Sequence, residues 1–97
     1  MSGERRRYPR SAVRLEAIQR VANRAFPRVV SNISSGGFFL EGAAAALGEL
    51  LVVEFPEEAG PLRVTGEVAY VSERGVGVRI TRADWRRLSR LLRPRVT

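Results

Sequence analysis

Between Val13 and Ile80 apolar and polar residues alternate in short runs, and each run is closed by Gly, Pro, Asn or Ser. Val13, Leu15 and Ala17 alternate with Arg14 and Glu16; Leu62, Val64, Val68 and Tyr70 alternate with Arg63, Thr65 and Glu67. Successive side chains of a strand point to opposite faces, so this pattern describes strands with one buried face. Strands are expected from Val13 to about Val21, from about Phe26 to Ser34, over Phe38–Leu40, over Leu50–Phe55, from Leu62 to Tyr70 and over Val76–Ile80. Pro27 suits the second strand only at its start or at an edge. Gly66 inside the fifth predicts a bulge or sharp bend. Residues 22–25, 42–48, 56–61 and 72–75 are the connections.

After Ile80 the period changes. Trp85, Leu88, Leu91 and Leu92 fall at helical spacing, Arg82, Arg86, Arg87, Arg90 and Arg93 fill the remaining positions, and Pro94 ends the run. Thr81 and Asp84 have the spacing of a capping box, with Asp in place of the usual Glu. The helix is expected over 82–93, with Trp85 in the core. Its arginine face reads as a solvated surface or as a docking surface for an acidic partner. Six short strands and one closing helix in 97 residues describe a mostly β protein. The expected architecture is a small six-stranded antiparallel β-barrel, because closure removes the sheet edges that so short a chain cannot otherwise protect. Residues 1–10 (MSGERRRYPR) have little apolar content and read as a flexible arginine-rich arm; 11–97 form the barrel domain with its C-terminal helix.

Composition narrows the chemistry. There is no Cys, no His and a single Asp, so thiol catalysis, Ser-His triads, zinc sites and disulfides have no residues to work with. No metal site and no enzyme activity are expected. Glu57-Glu58 reads as a solvated turn pair. No apolar run approaches the ~20 residues that span a bilayer, and no apolar segment follows the charged start, so a cytoplasmic location without a membrane span is expected. The 17 basic residues, all Arg, exceed the acidic ones by seven. Guanidinium forks grip phosphate bidentately and stack on rings, which points to an anionic partner.

Two motifs are candidates for that contact. Arg5-Arg6-Arg7-Tyr8-Pro9-Arg10 contains an Arg-x-x-x-Arg spacing in Arg6 and Arg10. Two forks on a proline-stiffened segment can wrap a phosphodiester or hold a purine, and guanine O6 and N7 match one fork. Taken alone, the cluster is also a plain solvated basic tail. The second motif is Asn32-Ile33-Ser34-Ser35-Gly36-Gly37. On a strand, Asn32 and Ser34 would share a face and present an amide and a hydroxyl together, while Gly36 and Gly37 would let a ligand approach the backbone. Taken alone, it is also an ordinary strand ending in a glycine turn.

In this order and at this distance, the two motifs resemble those of the PilZ domain family: Arg6 and Arg10 match its N-terminal Arg-x-x-x-Arg, and Asn32, Ser34 and Gly37 match its (Asp/Asn)-x-Ser-x-x-Gly. The resemblance covers about residues 5 to 92. It implies a receptor for cyclic di-GMP in which Arg5, Arg6 and Arg10 contact phosphate and guanine, and Asn32, Ser34, Gly36 and Gly37 contact a guanine or ribose. Cyclic di-GMP is the ligand; no other cofactor is implied. The arm would order on binding, and the signal would pass to an unidentified downstream protein. Two alternatives stand beside this reading. One is a PilZ-like protein-interaction scaffold without nucleotide binding. The other is a small basic barrel that binds single-stranded nucleic acid, which the seven aromatics, mostly needed for the core, argue against.

Overall fold

Leu15–Val21 (β1) and Arg24–Ser31 (β2) form the first hairpin, joined by Ala22 and Asn23. Gly37–Glu41 (β3), Leu50–Phe55 (β4), Leu62–Val71 (β5) and Gly75–Ala83 (β6) follow, and the helix α1 runs from Trp85 to Leu92. The structure is a computed structural model that describes residues 14–92. The strands run in the order β1-β2-β3-β6-β5-β4, every neighbouring pair antiparallel, and β4 returns to β1 through Ile18–Glu54, Gln19–Val53 and Arg20–Val52. The sheet is therefore a closed barrel of six strands.

The alternation read from the sequence fills its interior. Ala17, Val30, Phe38, Leu40, Leu51, Val53, Phe55, Leu62, Val64, Val68, Val76, Val78 and Ile80 are buried, and Phe38 meets Phe55 edge to face at 5.8 Å. Each buried Val, Leu, Ile or Phe among them contributes about 1.5–3 kcal/mol. Exposed ion pairs contribute about 0–1 kcal/mol, so the core holds the barrel together.

The elements depart from the sequence expectation where the chain changes direction. β2 starts two residues earlier than expected, because Ala22 at φ 54° lets a two-residue turn suffice. It also stops at Ser31 instead of Ser34, because Asn32 at φ 54° leaves the extended region. Pro27 lies on the stretch of β2 that pairs with β1 but extends beyond β3, which covers only Val29–Ser31. A missing N–H costs little there. The ladder shifts register at Thr65/Gly66, as Gly66 suggested, and again between Val68 and Tyr70.

At the C-terminal end, Arg82 and Ala83 still pair with Thr65 and Val64, so they belong to β6 and the helix starts three residues later than expected. Asp84, not Thr81, is the cap: its Oδ1 accepts the Arg87 backbone N–H at 3.2 Å, and its carbonyl accepts that of Leu88 at 2.9 Å. Leu88, with Leu91 and Leu92 beside it, seals the core. Arg87 anchors the helix to the β4–β5 connection by donating to Glu57 at 3.0 Å and to the Gly60 carbonyl. Trp85 is not in the core as expected. It is 49% exposed, because the helix turns Leu88, Leu91 and Leu92 inward and leaves position 85 at the margin.

Candidate functional site

The Asn32–Gly37 segment joins β2 to β3, and its local geometry separates the polar groups that a strand would have placed together. Ile33 is buried, which anchors the middle of the segment in the core. With Asn32 in a left-handed conformation, the chain turns on either side of that anchor: Asn32 is exposed and Ser34 is buried. The expected shared face does not form. The Ser34 hydroxyl accepts the Gly36 N–H at 3.2 Å and lies 3.5 Å from the Gly37 carbonyl, to which the Ser34 N–H donates at 2.9 Å. Ser34 thus builds the turn. Asn32 is exposed, and its amide has no hydrogen-bond partner among the described residues.

A second Ser-x-x-Gly in the chain makes the same turn. Ser72 Oγ accepts the Arg74 N–H at 3.2 Å and donates to the Gly75 carbonyl at 3.2 Å, and the Ser72 N–H reaches that carbonyl at 2.9 Å. In both turns the serine and the glycine carbonyl close the same hydrogen-bonded loop. Gly37 has its own requirement. A Cβ there would sit 2.2 Å from the Val78 carbonyl oxygen, so the passage of β3 against β6 demands glycine.

On the outer surface, Ser31 pairs with Phe39, Phe39 with Gly77, and Gly77 with Tyr70. Phe39 and Tyr70 stack at 6.1 Å between centroids and 25° between planes. Gly77 is the floor of this ledge: a Cβ there would come within 2.0 Å of the Tyr70 ring. Tyr70 is 44% exposed, although alternation from Val68 would have turned it inward. The register shift between Val68 and Tyr70 reverses its face. This ledge is not among the sites expected from the sequence. The available signal was a tyrosine opposite the Gly-Val-Gly-Val stretch, whose glycines leave room for a ring.

Leu15 pairs with Val30, so the chain arriving through Arg14 meets the barrel beside Ser31 and Asn32. The start of β1, the Asn32 turn and the Phe39–Tyr70 ledge therefore adjoin one another. Arg14 also lines an open groove of about 940 Å³ with Arg28, Arg74, Glu16 and Glu41, over Ile18, Pro27 and Val29. Arg14 donates to Glu41 at 3.4 Å. None of Asn32, Ser34, Gly36 and Gly37 lines that groove. Arg5, Arg6 and Arg10 lie outside the described residues.

No constellation for acid–base or metal chemistry appears among the described residues. No group of three or more His, Cys, Asp or Glu is placed to hold a metal ion. The carboxylate most removed from water, Glu54, is fully tied. Arg63 donates to Oε2 from Nε at 3.0 Å and from Nη2 at 2.8 Å, and Arg20 donates to Oε1 at 3.1 Å. The bond from Arg63 is the main cause that holds its pKa below the ordinary 4.5, against the opposing effect of burial, with Arg20 adding to the shift. An acid held ionised in this way braces β1, β4 and β5.

The PilZ domain family matches residues 4–93, and the chain belongs to that family, whose members are non-enzymatic receptor and adaptor domains that typically bind cyclic di-GMP. Among solved structures, the chain is similar to the Bacillus subtilis inhibitor of motility MotI/DgrA, with a TM-score of 0.72 and 20% identity over 92% of this chain and 48% of that one. The likeness shows a shared fold, and the chain spans about half the length of that protein. No curated protein matches it. No described helix is long and apolar enough to cross a membrane.

Proposed function

We propose that the protein is a cyclic di-GMP receptor that passes its signal to a partner protein. The observation that carries this reading is the pairing of Leu15 with Val30, which brings the chain that follows Arg5, Arg6 and Arg10 onto the barrel beside Asn32. Arg10 lies five residues before Leu15, a reach of up to about 17 Å, so the arginine segment can extend over the Asn32 turn and the aromatic ledge. In this reading the arginines hold the phosphodiesters and stack on guanine. Asn32 reads a base edge. Phe39 and Tyr70 supply a flat surface for a purine. Ser34, Gly36 and Gly37 act by shaping the turn that aims Asn32 and by leaving the backbone approachable.

Ordering of the arm over the ligand would create the surface that a downstream cytoplasmic protein senses. Isothermal titration with cyclic di-GMP, with GTP and a linear GG dinucleotide as controls, tests the proposal. Saturable binding at micromolar or lower concentration, selective for the cyclic ligand and lost in Arg6→Ala/Arg10→Ala, is the expected result. Absence of binding would overturn it.

A further inference from the structure

The C-terminal helix covers the barrel with one face and leaves the other unpartnered. Trp85, the only tryptophan of the chain, is 49% exposed there. Arg86, Ser89 and Arg90 share that outward side, and Arg82 leads into it from β6; all four are exposed. None of the three arginines has a carboxylate partner among the described residues, whereas Arg87, on the same short helix, is tied to Glu57 at 3.0 Å.

Two costs need an explanation. A large indole is left against water, where apolar area is unfavourable. Arg86 also occupies the first turn, where the helix dipole disfavours positive charge and the nearest acid in sequence is the cap, Asp84. Trp and Arg are the side chains that most often anchor protein interfaces, where the ring gives buried area and the fork fixes a carboxylate. We propose that Trp85, with Arg82, Arg86 and Arg90, is a docking surface for an acidic segment of a partner protein that also offers an apolar seat for the indole. The inference rests on the adaptor half of the proposed function and is independent of its nucleotide half.

The chemistry selects a protein over other anions. A helix that lies on a membrane must free its apolar face, and here that face is committed: Leu88 is buried and Leu91 and Leu92 pack on the core. Single-stranded nucleic acid needs successive bases to stack on several aromatics, and Trp85 is the one aromatic of this helix.

The test uses the full chain and a labelled amphipathic peptide with Glu on one helical face and Leu on the other, followed by anisotropy and by the emission of Trp85. Saturable binding with a blue shift is expected. Trp85→Ala and Arg86→Glu/Arg90→Glu should each weaken it by about tenfold or more, the scale of a lost interface anchor. Arg6→Ala/Arg10→Ala should leave it unchanged. A matching peptide with Lys for Glu should bind the Arg86→Glu/Arg90→Glu protein, which separates lost charge from lost folding.

Peptide binding unaffected by the charge reversal would overturn the proposal. So would a Trp85 shift produced by phosphatidylserine vesicles or oligo-thymidine but not by the peptide. Cyclic di-GMP titration of the same proteins keeps the two claims apart: nucleotide binding without peptide binding sinks the docking surface alone, and the reverse sinks the nucleotide reading alone.

Discussion

The ring of Tyr70 lies over Gly77 so closely that a Cβ at position 77 would come within 2.0 Å of it. Gly77→Ala is therefore a way to move Tyr70 without changing it. The clash is with a ring that can swing outward, so the cost to stability should be on the low side of overpacking, about 1 kcal/mol, read as a small fall in melting temperature. If the ledge carries a guanine, Gly77→Ala and Tyr70→Ala should both weaken cyclic di-GMP binding. The loss for Tyr70→Ala should be about tenfold, since stacking on one ring is worth roughly 1–3 kcal/mol. Equal titration curves for wild type and Tyr70→Ala would remove the ledge from the site.

The Asn32–Gly37 turn predicts a division of labour within one motif. Asn32 is exposed and its amide is unengaged among the described residues, so Asn32→Ala should lower affinity, with only a small fall in the urea midpoint because alanine fits φ 54° less well than asparagine. Ser34→Ala removes the acceptor of the Gly36 N–H and should cost about 1 kcal/mol, with Ser72→Ala costing a similar amount at the matching turn. Gly37→Ala should be the most damaging of the set, because the group it meets at 2.2 Å is the Val78 backbone carbonyl, which cannot step aside as a side chain can. If Ser34→Ala abolished binding at unchanged stability, Ser34 would be a ligand contact and not a builder of the turn.

Asp84→Ala separates two accounts of where the helix begins. As the cap whose Oδ1 accepts the Arg87 N–H, Asp84 should contribute about 1 kcal/mol. Thr81→Val should not reproduce a capping loss: the Thr81 hydroxyl donates at 3.2 Å to the Thr65 carbonyl within the β5–β6 pair. Helical circular dichroism should fall for Asp84→Ala only.

What was legible from residue types was the alternation and its interruptions by glycine. Leu50–Phe55 forms β4 with the bounds expected, and Gly66 marks a real register shift. What was not legible depends on partners distant in sequence. The shift between Val68 and Tyr70 contains no glycine of its own, and the room for the outward ring comes from Gly77 on the next strand. Arg82 and Ala83 fit a helical pattern as well as a strand, and the pairing with Thr65 and Val64 decided for the strand. In the candidate site, Asn32 and Ser34 were found by motif, but their separation follows from the φ of 54° at Asn32 and the burial of Ile33, which no spacing rule contains. Trp85 kept the helical phase of Leu88 and Leu92 and still fell at the margin, because the eight-residue helix seals the barrel with its later turns.

Glu54 makes the stability of the barrel depend on pH on the acid side. Its side chain is 6% exposed and bridges Arg20 and Arg63, which are themselves 45% and 68% exposed. Because the arginines hold its pKa below 4.5 in the folded state, the unfolded chain binds its proton at higher pH than the native one does. The contribution is therefore complete above the unfolded value and is lost as pH falls through the lowered, folded one. Glu54→Gln keeps the shape but weakens both charge-assisted bonds, and its arginine partners can return to water, so the cost at neutral pH should be about 1–2 kcal/mol. Urea unfolding at neutral pH and at successively lower pH checks this. The gap between wild type and Glu54→Gln should hold from pH 7 down to about 5, then narrow below the ordinary carboxylate pKa as wild type alone loses the bridge. A gap independent of pH down to the acid limit would mean that Glu54 acts by packing and not by charge.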